Sequence, residues 1–150
     1  MKTLCIILIA LILLMCMPEF NITNIEVLNG TYYFFTTENY EDSNSLSVSS
    51  GNGYVISCKS EFASQLYRNL DKNKIVGISV ETSDIDINSL VEKLNIEVCQ
   101  TQNLKDISFI YGYSNRLTHF VTVDNQKINI QIAKTLDKIK IGYPLIFDSV

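Results

Sequence analysis

Fourteen consecutive residues without a charge, Leu4 to Met17 (LCIILIALILLMCM), follow a single lysine at position 2. One positive charge ahead of a 7–15-residue apolar run has the form of an export signal. Pro18 and Glu19 end the run, because proline breaks a helix and a carboxylate is costly in hydrocarbon. At ~1.5 Å per residue the run covers roughly 21 Å, short of the ~30 Å bilayer core. Residues 1–20 therefore read as a signal peptide or membrane anchor, with Lys2 staying inside and 21–150 placed outside as a single domain. No pair of small residues suited to a signal peptidase lies between Met15 and Asn24, which favours a retained anchor. Cys16, after Leu13-Leu14-Met15, is a candidate for lipidation, with Met15 where a lipobox has a small residue.

Hydrophobic residues make up 47% of the chain and charged residues 19%, so the exported part can bury a core. The formal charge is -4, against the basic balance that phosphate tracking requires. Residues 21–92 carry 4 basic and 10 acidic groups, and residues 93–150 carry 7 and 5. Neither half is a nucleic-acid surface, and no nucleic-acid partner is expected. His119 is the only histidine, so a multi-histidine metal cage is excluded. CxxC, HExxH and EF-hand patterns are absent. Asp84 and Asp86 stand two residues apart at a predicted helix start, where carboxylates serve as cap and first-turn charges rather than as metal ligands. No metal and no cofactor are expected.

Along the exported part, β-branched and aromatic residues between Glu26 and Thr37 predict a strand, and Glu38 to Asn52 a polar loop or a poorly ordered strand. Gly53 to Cys58 predicts a short strand. Phe62, Leu66, Tyr67 and Leu70 fall on one helical face, with Ser60 as N-cap. Lys74 to Val80 predicts a strand, and Ile87, Leu90, Val91 and Leu94 a second amphipathic helix capped by Asp84 or Asp86. Ile107 to Tyr113, Thr118 to Val123, Lys127 to Ala133 and Ile139 to Phe147 predict an antiparallel meander, with a tight turn at 124–126. Alternation places Ile128, Ile130 and Ile132 on one face and Asn129 and Gln131 on the other. Pro144 marks a sheet edge or strand end. The fold class is α+β: a mainly antiparallel sheet with two helices on one face.

From about Ser89 onward the order of features resembles the C-terminal part of the YwmB family of exported proteins from spore-forming, low-GC Gram-positive bacteria. The residues that carry the resemblance are Leu90-Val91-Glu92-Lys93-Leu94, Ile107 to Tyr113, the segment Lys127-Ile128-Asn129-Ile130-Gln131-Ile132-Ala133, and Ile141-Gly142-Tyr143-Pro144-Leu145-Ile146. The resemblance implies a fold like that of TATA-box-binding protein, a curved antiparallel sheet with helices on its convex side. It also implies a place in the cell envelope. It implies no activity.

The remaining chemistry is sparse. Amide side chains on an open sheet face, edged by aromatics, suit a peptide or glycan, so Tyr111, Tyr113, Arg116, Asn129 and Gln131 are the candidate binding residues for an envelope protein, peptide or glycan. Cys58 and Cys99 are candidates for a disulfide in an oxidising exterior. A small envelope hydrolase using Cys58 or Cys99 as nucleophile with His119 as base is the enzymatic alternative, although neither a nucleophile motif nor a Gly-rich oxyanion loop accompanies them. The expected function is a non-enzymatic binding domain, membrane-tethered through residues 4–17.

Overall fold

A computed structural model describes residues 28–83 and 85–147. The apolar run, Cys16 and Asp84 lie outside the described residues. Ten strands are β1 (Thr31–Thr36), β2 (Ser45–Ser50), β3 (Gly53–Lys59), β4 (Ile75–Thr82), β5 (Ile96–Leu104), β6 (Ile107–Ser114), β7 (Val121–Val123), β8 (Gln126–Ile128), β9 (Ile130–Lys134) and β10 (Ile139–Tyr143). Helix α1 (Ser60–Asn69) links β3 to β4, and α2 (Ile87–Lys93) links β4 to β5. Eight strands form one sheet in the order β2-β3-β1-β4-β10-β9-β6-β5, while β7 and β8 form a separate two-stranded ribbon. Every pairing is antiparallel. The fold class is α+β, as the hydrophobic patterning predicts.

Strand alternation divides the sheet cleanly. Cys58, Tyr32, Val80, Ile141, Ile132 and Ile110 are successive cross-strand partners on one face, and Ile56, Phe34, Ile78 and Tyr143 form the adjacent row. Ala63, Leu66 and Leu70 of the α1 segment and Leu90 and Leu94 of the α2 segment join the same buried cluster. Both helices therefore cover this face, and removal of this apolar surface from water is the main driving force of folding. The helices connect strands that run parallel, with other strands lying between them, so each must cross over the sheet.

Local chemistry sets the ends of α2. Asp86 is its N-cap and accepts from Asn88 N–H at 3.0 Å, leaving Asp86 a capping role. At the other end Asn95 takes a positive φ of 50°, a conformation that asparagine tolerates better than most residues. The last carbonyls are met from β6 and the loop after it. Arg116 Nη1 donates to Lys93 O at 2.6 Å, and the Ser114 hydroxyl donates to Leu94 O. Helix α1 starts differently from the expectation: Lys59 occupies the N-cap without a side-chain bond, and Ser60 is already the first helical residue.

One open alternative is decided and two elements depart from the pattern expected of them. The polar stretch 38–52 contains β2, opened by an Asx turn in which Asp42 Oδ1 accepts from Asn44 N–H and the Ser45 hydroxyl. Strand β5, with Ile96 its only buried residue, carries too little apolar alternation to stand out. The segment Lys127–Ala133 is not one strand. It breaks at Asn129 between the ribbon and the main sheet, which removes Asn129 from the face it was expected to share with Gln131.

Candidate functional site

The face away from the helices can be followed across the whole sheet. One row of cross-strand partners runs from Leu46 through Ser57, Tyr33 and Ser79 to Gly142, Gln131, Tyr111 and Gln100. Its centre is covered by the chain itself. Strand β10 ends at Tyr143, because Pro144 has no N–H to continue a ladder, and the following residues return across the sheet. A Cβ on Gly142 would lie 2.4 Å from Leu145 C and 2.5 Å from Ile146 N. One on Gly77 would lie 2.4 Å from the Phe147 ring. These two glycines form a trough in which residues 145–147 rest as a strap. Ile146 N–H donates to Gln131 Oε1 at 2.9 Å, and Phe147 packs on Phe35 with ring centroids 5.3 Å apart.

On the β6–β5 side of the strap lies an aromatic strip. Phe109, Tyr111 and Tyr113 share one side of β6, and all three are half-buried. The Phe109 and Tyr111 rings stack with centroids 6.3 Å apart and an interplanar angle of 23°. Gln102 and Gln100 stand opposite them on exposed β5. This strip has flat apolar rings with amides opposite Phe109 and Tyr111 and the Glu97 carboxylate opposite Tyr113, and its rings suit stacking against a sugar ring or lying along an extended peptide. On the β1 side, the Lys140 ammonium sits 4.8 Å from the centre of the Tyr33 ring.

Tyr111 and Tyr113 thus stand together on the helix-free face. Gln131 is beside Tyr111 but is spent on holding the strap. Asn129 is fully buried: its Oδ1 accepts from Ser114 N–H at 2.8 Å, and its Nδ2 donates to Ser114 O at 2.7 Å and Leu117 O at 3.2 Å. Arg116 is engaged at the C-terminus of α2. These two are structural groups that hold the β6 end against α2, so the expected five-residue surface reduces to its two tyrosines. Sequence reasoning missed Phe109, Tyr33, Phe35 and the strap. A signal was present in Gly77 and Gly142, since glycine inside a strand marks close approach of another backbone.

The disulfide reading fails on topology. Strands β3 and β5 stand six positions apart in the sheet order, about 29 Å at ~4.8 Å per strand. A disulfide needs Cα atoms within ~7 Å, so Cys58 and Cys99 cannot bridge, and both are free thiols. Cys58 is buried on the helix-covered face, where burial, aided by the Asp42 carboxylate, pushes its thiol up to about 11; it stays protonated and is no nucleophile. Cys99 Sγ lies against the carbonyl oxygens of Glu97 and Lys127, at 3.6 and 3.7 Å. His119 is in the loop before β7 with Nδ1 3.2 Å from Thr118 Oγ1, and burial holds its imidazole below the ordinary range. Cys58 lies on β3, six strand positions from β5, whereas Cys99 lies beside β8, the partner of β7. Among the described residues no three acidic, cysteine or histidine side chains gather as a metal site, and no helix is long and apolar enough to cross a membrane.

Compared with protein-family models, curated proteins and solved structures, the chain matches none.

Proposed function

We infer that the chain is an extracytoplasmic, non-enzymatic binding domain of a bacterial cell envelope, tethered through residues 4–17, and that the helix-free face is its ligand surface. The observation that carries the reading is the strip of Phe109, Tyr111 and Tyr113 left half-buried on that face. Aromatic rings in such a position lose solvent on contact with a flat apolar partner at little entropic cost. The ligand class is an envelope glycan or extended peptide. Support for a YwmB-like, TATA-box-binding-protein-like architecture comes from the path β4–α2–β5–β6–β9–β10, a strand, a crossover helix and a four-stranded meander that ends beside the first strand. Bulges at Phe35/Thr36 and Val98/Gln100 favour curvature of that sheet, because an extra residue bends a strand.

Placement outside the cell is tested by adding protease to intact cells that express the full chain, then fractionating and weighing the products. A full-length membrane-bound species that is degraded from outside is the expected result. A protected cytosolic species would overturn the reading, since an envelope ligand could not then reach the face.

A further inference from the structure

The two edges of the sheet are treated differently. Strand β5 is interrupted by a bulge between Val98 and Gln100 and carries Glu97, both of which discourage another strand from adding to it. Strand β2 has neither device. Its sequence is Ser-Leu-Ser-Val-Ser-Ser, with no charge, no proline and no bulge. Leu46 and Val48 are 65% and 54% exposed, on the helix-free face. Among the described residues, no loop backbone bonds to it.

The register of β2 specifies which groups are free. It joins β3 through the two-residue turn Gly51-Asn52, with Gly51 at a φ of 58°. The residues flanking such a turn form a hydrogen-bonded pair, and these alternate along the ladder. Ser50, Val48 and Leu46 therefore bond β3, while Ser45, Ser47 and Ser49 direct N–H and C=O outward. The hydroxyls of Ser45 and Ser47 are tied to Asp42 and Asn39 on the helix side, clear of the apolar side.

We propose that β2 pairs antiparallel with β2 of a second copy of this chain, about a two-fold axis through Ser47. In that register Ser47 bonds its own counterpart, Ser45 bonds Ser49 of the other copy, and Leu46 faces Val48 across the join twice. The neighbouring two-fold registers, centred on Leu46 or Val48, leave at least one of these apolar side chains opposite a polar residue. The strand is thus complementary to itself, and no like charges meet within it. A two-fold join also closes after two copies rather than growing into a fibre.

Cysteine cross-linking of the full chain in its own membranes tests both partner and register. Hydrogen-bonded antiparallel partners have Cα atoms ~5.5 Å apart, within disulfide range. The Ser47→Cys variant oxidises to a dimer bridged between the two copies of its introduced thiol, identified by peptide mass. Ser49→Cys does not link to itself, but links to Ser45→Cys when the two variants are expressed together. Adding Val48→Lys to Ser47→Cys cuts the dimer roughly fivefold or more, since an edge lysine blocks pairing. Three results would each overturn the proposal. They are self-linking of Ser49→Cys as strong as that of Ser47→Cys, linkage of the thiol introduced by Ser47→Cys to the native Cys99, and linkage of that thiol to a different protein.

Discussion

Asn129→Ala is expected to lower the stability of the domain by about 2–3 kcal/mol, because it strands two backbone groups at once and weakens the bonding of a third. Ser114 N–H and Leu117 O lose the amide that now answers them, and Ser114 O keeps only Leu117 N–H at 3.2 Å, around a side chain with no solvent access of its own. Unsatisfied buried groups cost ~1–3 kcal/mol each without adding fully. The loss spreads, since Ser114 and Arg116 hold the last carbonyls of α2. In urea unfolding the midpoint should fall with little change in slope, and Tm should drop on the order of 10 °C. Asn129→Asp keeps the acceptor for Ser114 N–H but turns a carboxylate toward two carbonyl oxygens. Its folded-state pKa is then raised, so its stability is worst near neutral pH and recovers as pH falls and the carboxyl protonates. A loss below ~1 kcal/mol for the alanine variant, the range of an ordinary surface change, would show that the bracket does not hold the loop.

Gly142→Ala should cost about 2–3 kcal/mol, the upper part of the ~1–3 kcal/mol typical of forcing extra volume into a packed site. The added methyl meets Leu145 C, Ile146 N and Leu145 O at 2.4–2.6 Å. All three are backbone atoms, so rotamer change cannot relieve the contact. The strap must lift, Ile146 N–H must leave Gln131, and Phe147 must leave Phe35. Gly51→Ala is the comparison: its φ of 58° is strained for alanine, but nothing lies within 4 Å, so about 1 kcal/mol is expected. Chymotrypsin distinguishes the two. Release of a C-terminal fragment should accelerate for Gly142→Ala and stay at the parent rate for Gly51→Ala. Equal rates with unchanged stability would mean that residues 145–147 do not rest on Gly142.

What the sequence disclosed follows from which interactions are local. The 3–4 spacing of Ile87, Leu90, Val91 and Leu94, with a carboxylate ahead of it, marked α2 because amphipathic period and cap both act within a dozen residues. The alternation around Ile130 and Ile132 marked β9 for the same reason. The edge strands were hidden because their sequence has little to bury. β2 is serine-rich and β5 has one buried side chain, and each is a strand only because β3 or β6 offers a partner. Asn129 defeated the alternation rule, because a side chain that completes the backbone bonds of Ser114, fifteen residues away, leaves no periodic trace. The cysteines illustrate the same limit: 41 residues separate them in sequence, and only the strand order puts six strand spacings between them. The aromatic strip was half visible. Tyr111 and Tyr113 were legible as edge aromatics, whereas the strap that borders them depends on two glycines from different strands meeting one returning segment.

The claim that the helix-free face binds an envelope ligand is tested most directly by sedimenting the detergent-solubilised full chain with purified peptidoglycan sacculi, beside Tyr111→Ala and Tyr111→Phe. The parent and the phenylalanine variant should sediment alike, because the ring is what stacks. The alanine variant, folded by circular dichroism, should bind roughly tenfold more weakly, as loss of ~1.4 kcal/mol of contact implies. Sedimentation of the alanine variant at the parent's level, or no sedimentation of the parent above a sacculus-free control, would contradict the assignment of this face.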